Sequence, residues 1–189
     1  HQHSRFSEAV MRFLSFEDFL ESAVDSITGS LFSQNPLRTI NSIILNPPYR
    51  KIQTGSHHWK LLQRGGIKTT NLYTGFLALC IRLLAVNGEM VAITPRSFCS
   101  GSYFKAFREL LLQTLALRRL HLFESREHAF QEDDVLQETV ILSATKTPVA
   151  PETATVVITN STGPNDGFVA THTIPYYEVI SPRDPQLCI

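Results

Sequence analysis

Four consecutive residues, Asn46-Pro47-Pro48-Tyr49, place an amide, a stiff backbone and an aromatic ring directly behind the apolar run Ile40–Leu45. Each proline fixes φ and lacks an N–H, so neither continues a sheet ladder, and a strand that enters this tetrapeptide stops at Asn46. Two readings are open. Either the prolines make a turn whose tyrosine packs on the core, or they hold a rigid loop that presents Asn46 and Tyr49 to a ligand at the strand's carboxyl end. The residues that follow add charge: Arg50, Lys51, Lys60, Arg64 and Lys68 fall, with Arg38 and Arg82, in a stretch from Ser26 to Gly88 that contains no Asp or Glu. Such a local positive region is either a solvated loop or a contact for phosphate backbones.

The chain that must position these groups has 189 residues, 43% of them hydrophobic, enough for one complete core and too short for two. One domain with a tail is the expectation. No apolar run approaches the roughly 18–20 residues that span a bilayer, and the first residues carry no signal-peptide pattern, so the sequence reads as soluble. The three cysteines, Cys80, Cys99 and Cys188, are odd in number and widely spaced. That argues against a disulfide framework and a zinc site, and makes a reducing cytoplasm the expected compartment. Net charge is zero, so overall composition gives no nucleic-acid signal. His57-His58 and Glu132-Asp133-Asp134 lack partners at ligand spacing and read as solvated loops, with no metal expected. The chain begins at His1 without Met, and HQHSRFSEAV reads as the interior of a longer protein.

Periodicity gives the elements. Ile40–Leu45 is short, apolar and bounded by turn residues, which predicts a buried strand of a parallel sheet. Residues 50–70, interrupted by Gly55 and Gly65-Gly66, predict a long mobile loop. Leu72, Phe76, Leu79 and Leu83 recur at spacings of four, three and four and predict a helix, with Asn71 as its N-cap and Asn87-Gly88 as its stop. MVAIT (90–94) is a second strand, closed by Pro95. Tyr103, Phe104, Phe107, Leu110 and Leu111 mark another helix, capped by Ser100 or Ser102. RRLHLF (118–123) and ETVILSAT (138–145) are two more strands on either side of an acidic loop, and beyond Ala144 one clear strand remains at Thr155–Thr159. This order gives an α/β fold with a parallel sheet at its centre and an antiparallel strand late in the chain. Ligands of such sheets bind beyond the carboxyl ends of the strands, which is where Asn46–Tyr49 falls.

A buried strand followed by Asn-Pro-Pro-Tyr resembles the catalytic loop of S-adenosylmethionine-dependent amino-methyltransferases. NLYTGFLALCIRLLAVNGEMVAITPRSF (71–98) is similar to the next helix and strand of the adenine-N6 DNA methyltransferases of bacterial restriction–modification systems, especially the Taq-type gamma class, and VLQETVIL (135–142) resembles their late strand. The likeness covers roughly Ser15 to Lys146. It implies a Rossmann-like methyltransferase sheet, here its C-terminal part and incomplete at the N-terminus. It also implies S-adenosylmethionine as cofactor and double-stranded DNA with a flipped adenine as partner. Methylating an exocyclic amine needs no covalent nucleophile; the nitrogen must lie in line with the sulfonium methyl with its lone pair freed from the ring. The resemblance makes the Asn46 side-chain carbonyl and the Pro47 backbone carbonyl the acceptors of the amine N–H groups, with Pro48 holding Pro47 extended so that its carbonyl direction is fixed. Tyr49 is then the stacking partner of the extruded base. Asp18 and Phe19 resemble the family's pair that contacts the cofactor's adenine, and Asn71 and Tyr73 match the motif that lines the methyl-donor pocket. Arg50, Lys51, Lys60, Arg64 and Lys68 become the DNA contacts, and a second aromatic against the base is expected among Phe168, Tyr176 and Tyr177.

The sequence departs from the family pattern at Asn41, where an Asp usually starts the strand, and at Leu45, where a small residue usually precedes the Asn. The glycine-rich loop for the methionine part of the cofactor and the acidic residue for its ribose are not found in these residues. The expectation is therefore a partial catalytic domain at 1–147 and an extension at 148–189 leading towards a target-recognition region, with a specificity or restriction domain or subunit elsewhere. This polypeptide alone is expected to bind S-adenosylmethionine weakly or not at all and to show no turnover. Two other readings stand beside this one: an NPPY-type methyltransferase acting on protein glutamine or RNA, and a non-catalytic DNA-binding remnant.

Overall fold

The apolar run that leads into the proline corner forms a strand, β1 (Ile40–Leu45), and ends where the prolines remove its donors. The computed structural model describes residues 16–29, 40–123, 139–147, 154–161 and 170–179. In chain order these hold α1 (Phe16–Thr28), β1, α2 (His57–Arg64), α3 (Leu72–Leu83) and β2 (Leu84–Pro95). Two 3-10 turns, Arg96–Cys99 and Ser102–Phe104, then lead into α4 (Lys105–Thr114). β3 (Leu115–Phe123), β4 (Thr139–Lys146), β5 (Thr155–Ser161), β6 (Ala170–Pro175) and α5 (Tyr176–Val179) follow.

The strands make one sheet in the order β1-β2-β4-β3-β5-β6. β1 is parallel to β2 and β3 to β5, whereas β4 lies antiparallel between β2 and β3, and β6 is antiparallel to β5. The α/β order with a late antiparallel strand is thus present, but the expected parallel centre is not: antiparallel β4 occupies the middle of the sheet, with the parallel pairs on either side of it. The expected division after residue 147 falls between β4 and β5, which belong to the same sheet.

Alternation decides the core. Met90, Ala92 and Thr94 of β2, Leu120 of β3, Val140, Leu142 and Ala144 of β4, and Val156 and Ile158 of β5 are buried. Tyr73, Leu77, Cys80 and Ile81 of α3 and Phe107 and Leu111 of α4 cover this layer. The opposite side of α3, with Leu72, Phe76, Leu79 and Leu83, meets α1 and α2 through Leu20, Val24, Leu61 and Leu62. Every residue of α3 except Arg82 is therefore buried, as a helix apolar all round must be. Lys146, at the end of β4, donates to the carbonyls of Ile81 and Leu84 at 2.8 Å each, satisfying acceptors that the end of α3 leaves open.

Several expectations are corrected here. Residues 50–70 are not a mobile loop: Ser56 caps α2 by accepting from the Trp59 N–H at 3.3 Å, and Leu61, Leu62 and Ile67 are buried. A helix of 8 residues is too short to leave a sustained period in the sequence. β1 is not a buried strand; it edges the described sheet, flanked by β2 alone, and Ile44 is 86% exposed. α3 ends at Leu83 rather than at Asn87-Gly88, because Leu84 already pairs with Ile40, and Asn87, at φ +63°, turns the chain before Glu89 pairs with Ser42. Neither serine caps α4, whose N-cap is Phe104, reached through the second 3-10 turn. β6, formed by ATHTIP, has no apolar alternation that announces it.

Gly88 sets how closely this turn approaches β1. A Cβ there would lie 2.9 Å from the Ala85 carbonyl oxygen and 3.0 Å from that of Asn41, backbone atoms that cannot swing aside. Gly88→Ala is expected to cost about 1–3 kcal/mol, read as a lower urea midpoint. An unchanged midpoint would show that β1 yields freely.

Candidate functional site

The corner at the end of β1 is anchored and open at once. Pro47 is buried, Pro48 and Tyr49 are half-buried, and Asn46 is exposed. Tyr49 packs at the margin of the main core, while its hydroxyl donates to Asn46 Oδ1 at 2.9 Å. This bond turns the amide carbonyl toward the phenol and leaves the oxygen one further lone pair. Tyr49 thus packs on the core, as the turn reading has it, while its hydrogen bond with Asn46 stays exposed, as a loop that presents the pair to a ligand would have it.

Aromatic rings extend from this corner along the carboxyl ends of β1 and β2. Tyr73, in the first turn of α3, meets the Tyr49 ring edge-on, with centroids 6.3 Å apart. Phe104 follows at 5.9 Å from Tyr73, and Tyr103 packs edge-on against Phe104 at 4.8 Å. The Tyr73 hydroxyl pairs with Ser97 Oγ at 3.3 Å, and Asn71 Nδ2 donates to the Tyr103 hydroxyl at 3.5 Å. Asn71 stands at the N-cap position with extended backbone, yet its side chain makes no capping bond, so it is turned to the rim instead. Ser97, Tyr103 and Phe104 carry no site signal in the sequence, where Tyr103 and Phe104 read only as part of a helix.

Backbone pairing fixes the corner to α3. The Leu72 N–H donates to the Arg50 carbonyl at 2.9 Å and the Ile52 N–H to the Thr70 carbonyl at 2.7 Å, on either side of an antiparallel bridge between Lys51 and Asn71. Arg50 and Lys51, both exposed, are thereby brought to the rim, and Lys60 and Lys68 are exposed on and just after α2. Arg64 is turned elsewhere: its guanidinium pairs with Asp25 of α1. The loop after β2 has its own anchor in Arg108, which is fully buried and donates to the carbonyls of Phe98 at 3.1 Å and Ser100 at 2.9 Å.

The other expected residues are distributed as follows. Phe19 is half-buried and stacks on Phe76 with centroids 5.1 Å apart, joining α1 to α3. The side chain of Asp18, together with Phe168 and Glu132-Asp133-Asp134, lies outside the described residues. Tyr176 is a core residue, its hydroxyl accepting from the Leu117 N–H at 3.2 Å, whereas Tyr177 is 68% exposed. His57 pairs with Glu21 at 3.1 Å. No cluster of His, Cys, Asp or Glu suited to a metal ion occurs among the described residues, and no helix there is long and apolar enough to cross a membrane.

Burial pushes the Tyr49 and Tyr73 phenols up from 10.0 to about 12. Through the neutral range both keep their protons, so Tyr49 remains a donor to Asn46. Between pH 10 and about 12 the unfolded chain releases protons that the folded chain retains, so stability is full below 10 and falls as pH rises through that window. Tyr176, also raised by burial, joins them, so alkaline titration followed by tyrosinate absorbance is expected to show three phenols ionising later in the native protein than in urea. Ionisation of every tyrosine at the unfolded value would contradict the burial.

The Eco57I restriction-modification methylase family model matches residues 21–130. Type II methyltransferase M.BsuBI of Bacillus subtilis is 42% identical over 170 residues, 89% of this chain. Type II methyltransferase M.PstI of Providencia stuartii is 41% identical over 172 residues, 91% of the chain. The chain spans about a third of the length of these curated relatives, 33% of each. Among solved structures, a chain of a type I restriction–modification system superposes with a TM-score of 0.64 at 15% identity, covering 96% of this chain and 41% of that one. A Listeria monocytogenes protein assigned to the class I S-adenosylmethionine-dependent methyltransferases gives 0.54 at 12% identity, covering 70% and 40%. At these identities the structural likeness is one of fold, the Rossmann-like sheet of methyltransferases.

Proposed function

The chain belongs to the Eco57I restriction-modification methylase family, and on that premise we propose that it carries the base-binding side of a catalytic centre that methylates the N6 amino group of adenine in DNA. The observation that carries this reading is the hydrogen bond from Tyr49 to Asn46 Oδ1, 2.9 Å long, in a corner that is rigid, aromatic and open to solvent.

Asn46 Oδ1 keeps one lone pair for an N–H of the target amine, and the Pro47 carbonyl is the second acceptor. Two acceptors draw the amine toward tetrahedral geometry and free its lone pair for in-line attack. Tyr49 supplies a face for the extruded adenine, offsetting about 1–3 kcal/mol of lost pairing and stacking. Pro47 is buried, so the corner is preorganised rather than assembled by the substrate.

S-adenosylmethionine is the implied cofactor, and it supplies an electrophilic methyl group on a sulfonium. The residues near the corner suit the donor end of such a molecule: the half-buried Tyr49 ring, supported edge-on by the buried Tyr73, offers a π face to a cation, and the segment from Ser26 to Gly88 brings no carboxylate that would compete as a nucleophile. Asn71 and Tyr73 are the residues we assign to that side, with Asp18 and Phe19 toward the cofactor's adenine. Arg50, Lys51, Lys60 and Lys68 form the phosphate-contacting set, in which Arg64 has the smallest part because Asp25 already holds it. In this reading residues 1–147 are a partial catalytic domain, and 148–189 an extension toward a target-recognition region.

Radiolabel transfer from S-adenosylmethionine by the intact gene product, offered plasmid DNA, ribosomal RNA and a release factor in parallel, tests the substrate class. Label is expected in DNA alone. Label in the protein or the RNA would move the same corner to glutamine or RNA chemistry, and label in none of the three would leave a binding remnant.

A further inference from the structure

The rim holds one aromatic that the methyl-transfer reading leaves unused. Tyr103 is 60% exposed, although it ends a continuous row of rings that starts at Tyr49 and passes through Tyr73 and Phe104. A single exposed aromatic on a surface needs no explanation, but this one is fixed at three points. Phe104 supports its ring, Asn71 donates to its hydroxyl, and the buried Arg108 holds the loop just before it through the Ser100 carbonyl. Gly101, at φ +78°, gives the left-handed turn that lifts the segment out of the strand direction, a conformation that favours glycine. The Asn71 that contacts Tyr103 is also bridged to Lys51, two residues beyond Tyr49, and Lys105 is exposed two residues beyond Tyr103.

An exposed ring with exposed lysines nearby is the arrangement by which proteins hold an unstacked nucleotide: the cations track the phosphates and the ring takes the base. We infer that Tyr103 is a second nucleobase platform, stacking on a base that flanks the one received by Tyr49. Tyr73 and Phe104 intervene between the two rings, so the two platforms serve two nucleotides along one strand. Extruding an adenine unstacks its neighbours, and a platform for one of them holds the distorted strand open. The inference rests on Asn46 and Tyr49 being the base site.

The test uses the intact gene product, unmethylated plasmid DNA and labelled S-adenosylmethionine, with KM for DNA separated from kcat. Tyr103→Ala is expected to raise KM by about 5- to 100-fold, the loss of one stacked base, with kcat at saturating DNA within about threefold. Tyr103→Phe, which keeps the ring and loses only the hydroxyl contact, is expected to restore KM to within about threefold of the unsubstituted protein. An exposed side chain leaves the unfolding midpoint unchanged, so a shifted midpoint with unaltered KM assigns Tyr103 to structure and overturns the inference. Unaltered KM in Tyr103→Ala, or Tyr103→Phe as poor as Tyr103→Ala, overturns it too. If the unsubstituted protein transfers no methyl group to adenine, the base-site reading fails on its own, and filter binding of the same plasmid still reports what Tyr103 contributes to DNA affinity.

Discussion

Asn46→Ala is expected to lower methyl transfer to DNA by about 10²–10³-fold while DNA affinity stays within a few-fold. The asymmetry follows from where Asn46 stands. It is exposed at the end of β1, its backbone is held by the buried Pro47 that follows, and its Oδ1 already accepts from Tyr49 at 2.9 Å. In the proposed centre, truncation removes the acceptor for the target amine and leaves both prolines, the aromatic row and the lysines in place. Asn46→Asp separates hydrogen bonding from geometry: a carboxylate can still accept from Tyr49 and from an amine, so this variant is expected to retain more activity than Asn46→Ala. Single-turnover transfer of label, run beside filter binding of the same DNA, reads both quantities. Equal loss of binding and transfer in Asn46→Ala would mean that the residue holds the loop and does not meet the amine.

Phe98→Ala is expected to remove about 3–5 kcal/mol of stability. Phe98 is completely buried, it meets Phe107 edge-on at 5.7 Å between centroids, and it lies in the core shared by α3, α4 and the sheet. Ordinary domains retain only about 5–15 kcal/mol in total, so the variant should sit close to unfolding. The consequence reaches the site, since Ser97 pairs with Tyr73 and Arg108 grips the Phe98 carbonyl. Urea unfolding is the measurement, with activity at low temperature as its companion. A loss below about 1 kcal/mol would show that the loop after β2 repacks, and that its aromatic row does not depend on this core.

The strongest local signals were the ones that survived folding unchanged. Two prolines cannot extend a ladder wherever they occur, so the end of β1 was legible from residues 47 and 48 alone. The stripe Leu72, Phe76, Leu79 and Leu83 correctly gave a helix, but it faces α1 and α2; the sheet side of α3 is Tyr73, Leu77, Cys80 and Ile81. A helix buried on both sides carries two stripes, and periodicity alone does not say which one meets the sheet. α2 stayed hidden because its 8 residues give little more than two turns and its basic composition reads as loop. Its cap, Ser56, was the signal that could have revealed it.

The membership of the candidate site was only partly legible in the sequence. Asn46, Tyr49, Asn71 and Tyr73 are brought together by the Lys51–Asn71 bridge and the contact of the two tyrosine rings. Ser97, Tyr103 and Phe104 join them only because β2 lies parallel to β1, so that its carboxyl end opens on the same side. No spacing in the sequence encodes that proximity. Arg64 shows what counting charges leaves out: its pairing with Asp25 depends on the packing of α2 against α1.

Nucleoside analysis of DNA after reaction with the intact gene product and methyl-labelled S-adenosylmethionine tests the central claim most directly, with the unsubstituted protein and Asn46→Ala run side by side. The account predicts label in N6-methyladenine from the first and a loss of at least about 10²-fold from the second. Label in cytosine, or N6-methyladenine formed by Asn46→Ala at an undiminished rate, would contradict it.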